Sequence, residues 1–184
     1  LLELAPNIID SVESALKELN LNCPLYFTQN DGTLVNKEYA KRYPVMTIAS
    51  GPTNSMRGAA FLTGETNAIV VDIGGTTSDC GILINGFPRE APGKINIAGV
   101  RTNFRMPDTI SIALGGGSKI ILDPISVGPE SVGYNLVNDG LVFGGSTLTA
   151  TDIAVAAGNI ELGNKIRVNE ISDENIKKVS EKIK

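Results

Sequence analysis

Ala68-Ile69-Val70-Val71-Asp72-Ile73-Gly74-Gly75-Thr76-Thr77-Ser78-Asp79-Cys80-Gly81-Ile82-Leu83-Ile84-Asn85-Gly86 is the stretch on which the reading of this chain turns. An apolar, β-branched run ends at an aspartate, passes through a glycine-hydroxyl turn and returns as a second apolar run, which reads as two strands. Asn85-Gly86 is the dipeptide preferred in two-residue hairpin turns and announces a third strand. The two glycines of the first turn carry no Cβ, so backbone amides there can approach a ligand closely. Consecutive inward amides make an anion-binding concavity, and Thr76, Thr77 and Ser78 add hydroxyls able to donate to phosphate oxygens. Asp72 and Asp79 flank the turn. Carboxylates beside a phosphate cradle suit Mg²⁺ held through its waters, or the positioning of an attacking group. The plain alternative is a tight turn whose polar residues face water. A buried-type strand feeding the turn and an aspartate at each end of it favour phosphate.

Upstream, Leu4, Ile8, Ile9, Val12, Ala15, Leu16 and Leu19 recur at helical spacing, with Pro6 near the first turn. Leu25–Thr28 is expected as a strand closed by Asn30-Asp31-Gly32, and a helical turn is expected over Glu38–Arg42. Val45–Ala49 is expected as a further short strand, and a helix over Thr53–Leu62 after Ser50-Gly51-Pro52. Downstream, residues 95–121 look strand-like with a break at Gly115–Gly117. A capped helix is expected over Thr149–Ala157, and a last helix capped by Ser172 with Ile176, Val179 and Ile183 on its apolar face. The reading is one domain or lobe over 1–184, in three stretches: 1–66, 67–160 and 161–184. Leu1-Leu2 and Lys184 both look like cut ends, so an excised segment is expected.

Composition narrows the function. The formal charge is −4 and no dense Lys/Arg patch occurs, which disfavours nucleic acid. There is no histidine, which removes Ser-His and Cys-His nucleophile pairs and most zinc sites. Cys23 and Cys80 are too few to frame a disulfide scaffold. Two buried thiols in a reducing cytoplasm are expected, with a single bridge as the alternative. No apolar run reaches the roughly 20 residues of a membrane span.

The turn Asp72–Asp79 resembles the phosphate loop of the actin-like ATPase superfamily. A longer series is more specific: Ser50-Gly51-Pro52, Gly58-Ala59-Ala60, the loop, Ser111–Ser118, Val127–Gly133 and Thr149–Asp152 follow in order. That series resembles the central region of the hydantoinase A/5-oxoprolinase family. The resemblance implies an α/β fold, an actin-like (ribonuclease H-like) lobe with a mixed sheet flanked by helices, from a two-lobed protein whose other lobe lies upstream. It implies ATP and Mg²⁺ as cofactors, a cyclic amide such as a hydantoin or 5-oxoproline as substrate, and ATP-dependent ring opening in the cytoplasm, with a homo- or hetero-oligomer possible. It places phosphate contacts on Gly74, Gly75, Thr76, Thr77 and Ser78, and catalysis and water-mediated metal binding on Asp72 and Asp79. Gly115, Gly116, Gly117 and Ser118 are then either the surface under the adenosine or a flexible turn. Glu130 and Ser131 are substrate-side or metal-side polar groups, or surface turn chemistry. A small-molecule kinase and a non-catalytic nucleotide sensor remain the other functional readings. Asp152 reads as a helix-capping charge.

Overall fold

The computed structural model describes residues 4–183 except 94, 98, 103 and 104. Leu1, Leu2 and Lys184, on which the reading of the chain ends rests, lie outside the described residues. The chain divides into two compact units, Leu1–Val70 with Cys80–Ile110, and Val71–Asp79 with Ser111–Lys184.

In the first unit, helix α1 (Leu4–Glu18) follows the expected apolar spacing, with Ile9 buried. Strands β1 (Tyr26–Thr28) and β2 (Leu34–Asn36) pair antiparallel, and Asn36 caps α2 (Lys37–Arg42) by accepting from the Tyr39 N–H. Lys37 of α2 pairs with Glu13 of α1 at 2.6 Å. The strand expected at Val45–Ala49 is instead a 3₁₀ turn, Pro44–Thr47. Pro44 fixes φ near −65° at its first position, which suits a helical start better than an extended one. Helix α3 (Ser50–Thr63) opens three residues before the expected point. Pro52 is tolerated there because N–H groups of a first helical turn have no intrahelical acceptor.

Strands β3 (Ala68–Ile73), β4 (Ser78–Ile84) and β5 (Phe87–Pro88) follow. Asn85 and Gly86 between β4 and β5 both have positive φ, as a type I′ turn requires. Two short strands, β6 (Ile95–Ile97) and β7 (Val100–Thr102), pair antiparallel, and β8 (Thr109–Ile112) comes next. The strand order is β3-β4-β5, with β8 paired to β4. Sequence reading took β3 for a buried strand, but Ile69, Val71 and Ile73 on one of its faces are exposed. An alternating face is uncovered where continuous burial was expected.

The second unit contains the antiparallel pair β9 (Ser118–Leu122) and β10 (Ile125–Ser131), then α4 (Leu136–Asp139), α5 (Ala150–Ala156) and α6 (Asp173–Ile183). Its core joins Ile120 of β9, Ile153 of α5 and Val179 of α6, with Leu122, Ile125 and Val127 packed against them. A second cluster holds Val142, Val155 and Val168. Helix α5 begins at a capping box: Thr149 accepts from the Asp152 N–H while Asp152 accepts from the Thr149 N–H. The Asp152 carboxylate is fully buried and also accepts from the Val142 N–H at 2.8 Å, so its role is structural, as expected. Ser172 caps α6 by accepting from the Asn175 N–H. Among the described residues no helix is long and apolar enough to cross a membrane.

Candidate phosphate-binding site

The turn between β3 and β4 closes with one backbone bond, Gly74 N–H to Thr77 C=O, at 2.9 Å. The carbonyls of the two glycines point to one side. Gly74 C=O accepts from the Gly116 N–H at 2.9 Å, and Gly75 C=O accepts from the Gly117 N–H at 2.7 Å. In a trans peptide the C=O and the following N–H point in opposite directions. Anchoring these two carbonyls therefore aims the N–H groups of Gly75 and Thr76 away from Gly116 and Gly117. Among the described residues those two amides and that of Thr77 meet no acceptor, and all three residues are exposed. Adjacent outward amides at an exposed turn form an anion-binding concavity.

The Gly115–Gly117 segment fits this role because it has no side chains. A Cβ on Gly115 would stand 2.6 Å from Gly74 O and 2.7 Å from Thr76 N, and one on Gly117 would stand 2.9 Å from Gly75 O. Ser118 is fully buried, and its hydroxyl accepts from the Gly115 N–H at 2.9 Å. Beneath them, Thr151 donates to Gly116 C=O from both its N–H and its hydroxyl, each at 2.9 Å. Val132 N–H donates to Gly117 C=O at 2.9 Å. Sequence reading gave Thr151 and Val132 no part in the site; their only signal was their place inside the Thr149–Asp152 and Val127–Gly133 motifs.

The hydroxyls of the turn differ. Ser78 donates to Leu114 C=O at 2.7 Å, whereas Thr76 and Thr77 side chains have no partner among the described residues. Asp72 is half-buried, on the face of β3 opposite Ile73. Asp79 is half-buried and accepts from the Ser111 hydroxyl, a residue that sequence reading quoted but gave no role. A carboxylate with one such donor keeps lone pairs for water or a cation. Among the described residues no group of three or more His, Cys, Asp or Glu could form a metal cage.

Glu130 is exposed and pairs with Lys119 at 3.0 Å. Ser131 accepts from the Gly133 N–H at 3.0 Å and donates to Gly75 C=O at 3.4 Å, which links it to the turn. A mainly apolar cavity of about 500 Å³ is lined by Ile73, Ser78, Leu114, Gly115, Gly116 and Ile153, among others. Cys23 is exposed and Cys80 half-buried, both as free thiols, so the expected burial of both does not hold.

The chain belongs to the hydantoinase/oxoprolinase family, whose model matches residues 1–182. It is 28% identical over 174 residues to caprolactamase subunit alpha of Pseudomonas jessenii, covering 88% of this chain and 24% of that protein. It is 30% identical over 148 residues to the gamma subunit of acetophenone carboxylase of Aromatoleum aromaticum, covering 74% of this chain and 20% of that protein. Among solved structures, nucleotide-free acetone carboxylase, described for ATP-dependent acetone carboxylation, superposes with a TM-score of 0.71 at 24% identity, over 90% of this chain and 25% of that one. The ATP-dependent caprolactamase of P. jessenii gives 0.60 at 23% identity, over 98% and 30%. The chain thus spans about a quarter of the length of these relatives, and the two structural likenesses show a shared mixed α/β fold.

Proposed function

We propose that the Gly74–Ser78 turn holds the terminal phosphates of ATP in one lobe of an actin-like ATPase fold, and that the whole protein opens a cyclic amide at the expense of ATP. The observation that carries the phosphate reading is the outward aim of the Gly75 and Thr76 amides, imposed by the Gly116 and Gly117 N–H groups on the glycine carbonyls. Thr76 and Thr77 hydroxyls add donors at the same turn. Family membership and the 28% identity to a caprolactamase subunit support a cyclic amide as substrate.

In this reading the amide oxygen takes the γ-phosphoryl of ATP as ADP leaves, and water adds to the ring carbon so activated. The ring C–N bond breaks as the amine departs, and a second water releases phosphate and the acid. The chain contributes fixed donors where charge builds on the phosphoryl oxygens. Gly116 and Gly117 hold the loop through their amides and Ser118 holds Gly115, while Gly115 and Gly116 also line the cavity assigned in this reading to the adenosine. Mg²⁺ bound with the nucleotide would face Asp72 and Asp79 and neutralise phosphate charge. Glu130 and Ser131 are assigned to the substrate side, with Ser131 tied to the loop through Gly75. A ketone carboxylation is the second reading, favoured by the 30% identity to a carboxylase subunit and by the acetone carboxylase superposition.

A polypeptide carrying this domain, given ATP with caprolactam, a hydantoin or 5-oxoproline, is expected to release the ring-opened acid. Carboxylated product from a ketone and bicarbonate, without ring opening, would replace the first reading by the second. A phosphorylated hydroxyl product would point to a kinase, and ATP binding without any turnover to a nucleotide sensor.

A further inference from the structure

We infer that Thr151 is a positioning residue for phosphate binding, acting through the Gly116 peptide without touching the ligand; this rests on the phosphate-loop reading above. Thr151 stands in the first turn of α5 and sends two hydrogen bonds, from N–H and Oγ1, to the single carbonyl of Gly116. The amide of the same glycine donates to Gly74 C=O. The Gly116 C=O shares its peptide with the Gly117 N–H, which donates to Gly75 C=O, so Thr151, the Gly116–Gly117 peptide and Gly75 form one chain of donors ending at the peptide whose N–H, that of Thr76, faces outward. A carbonyl that accepts two donors polarises its own peptide, which strengthens the bond made by that peptide's N–H, here Gly117 N–H to Gly75 C=O. The hydroxyl also restricts rotation of the peptide between Gly116 and Gly117, whose N–H holds Gly75 C=O. The fit is close: a Cβ on Gly116 would lie 2.9 Å from the Thr151 hydroxyl oxygen, so glycine is needed for this approach.

Thr151 has a second anchor, because its backbone lies in a helix that starts at the buried Thr149–Asp152 capping box. Loss of the hydroxyl therefore leaves helix and backbone bond in place and removes one donor from Gly116. Thr151→Val keeps the shape and removes that donor; Thr151→Ser keeps it.

The test follows backbone amide resonances of the 184-residue chain during titration with ATP, and with AMP for comparison. In the wild type the Gly75 and Thr76 resonances are expected to shift with ATP and much less with AMP. Thr151→Val is expected to raise the apparent Kd for ATP about 2- to 12-fold, the range of one neutral hydrogen bond. Thr151→Ser is expected to restore it, and the Gly117 and Thr76 resonances of the free Thr151→Val chain should themselves move. An equal response of wild type and Thr151→Val to ATP would overturn the assignment of Thr151 alone. Equal loss in both variants would also overturn it, because the hydroxyl would then not be the cause. Wild-type Gly75 and Thr76 resonances that ignore ATP would overturn the phosphate reading itself, and the role of Thr151 with it.

Discussion

Replacing Gly115 by alanine tests the support of the loop from beneath. The added methyl would lie 2.6 Å from Gly74 O, 2.7 Å from the Gly75 carbonyl carbon and 2.7 Å from Thr76 N, all backbone atoms. Ordinary contact begins near 3.4 Å, so the loop or the glycine segment must retreat by roughly 0.7 Å. That shift stretches the Gly116–Gly74 bond, now 2.9 Å, beyond useful length and leaves the Gly117–Gly75 bond, now 2.7 Å, long and weak. Two neutral hydrogen bonds and the overpacking together cost about 2–4 kcal/mol. For a chain of this size that lowers the melting temperature by about 5–15 °C. Gly75→Ala is the matched comparison, since a Cβ there meets nothing within 4 Å and its φ lies outside the positive range. It should change stability by less than about 0.5 kcal/mol, as for an exposed site. Its methyl stands on the turn and should still weaken ATP binding. Thermal melts and ATP titrations of both variants separate the two effects. A Gly115→Ala protein that melts with the wild type and binds ATP as well would refute the supporting role of the glycine segment.

Asp152→Ala strands three buried donors, Val142 N–H, Thr149 N–H and the Thr149 hydroxyl, and should cost about 3–5 kcal/mol in denaturant unfolding. A loss below about 1 kcal/mol would mean water replaces the carboxylate. The Lys37 ammonium hydrogen-bonded to Glu13 holds that carboxyl below its usual range, while Glu13 raises Lys37. The depressed carboxyl adds stability above its unfolded pKa that is lost as pH falls through the folded value. The raised ammonium adds stability below its unfolded pKa that is lost as pH rises through the folded value. The α1–α2 contact should therefore weaken at both extremes, by little because both half-buried side chains still meet solvent, and Glu13→Gln should flatten both limbs in amide exchange of α1. Cys23 should react with a thiol reagent much faster than Cys80 in the native state, and equal rates would contradict their different exposure.

Local chemistry was enough to place the glycine-hydroxyl turn, the Asn85-Gly86 hairpin and the cap at Ser172, and to narrow the α5 cap to Thr149 or Thr151, because each depends on residues a few positions apart. Helical spacing was enough to find α1, the Ser50-Gly51-Pro52 break to find α3 and capping residues to find α5 and α6, and the ordered motifs were enough to reach the family. The strand expected at Val45–Ala49 failed because apolar content does not distinguish a strand from a short turn that Pro44 starts in a helical sense. The exposed face of β3 was also illegible, since a continuous apolar run does not say which of its alternating faces a neighbour covers. Only the tertiary structure showed what the glycine triplet does. Thr76 and Gly115 are far apart in sequence, and no spacing rule predicts that Gly116 and Gly117 spend their amides on the carbonyls of Gly74 and Gly75. The direction of a peptide plane is set by whichever distant donor reaches its oxygen. The sequence by itself therefore determined that a glycine-hydroxyl turn joins two strands, and the packing of Gly115–Ser118, Ser131 and Thr151 around it decided which way its amides face.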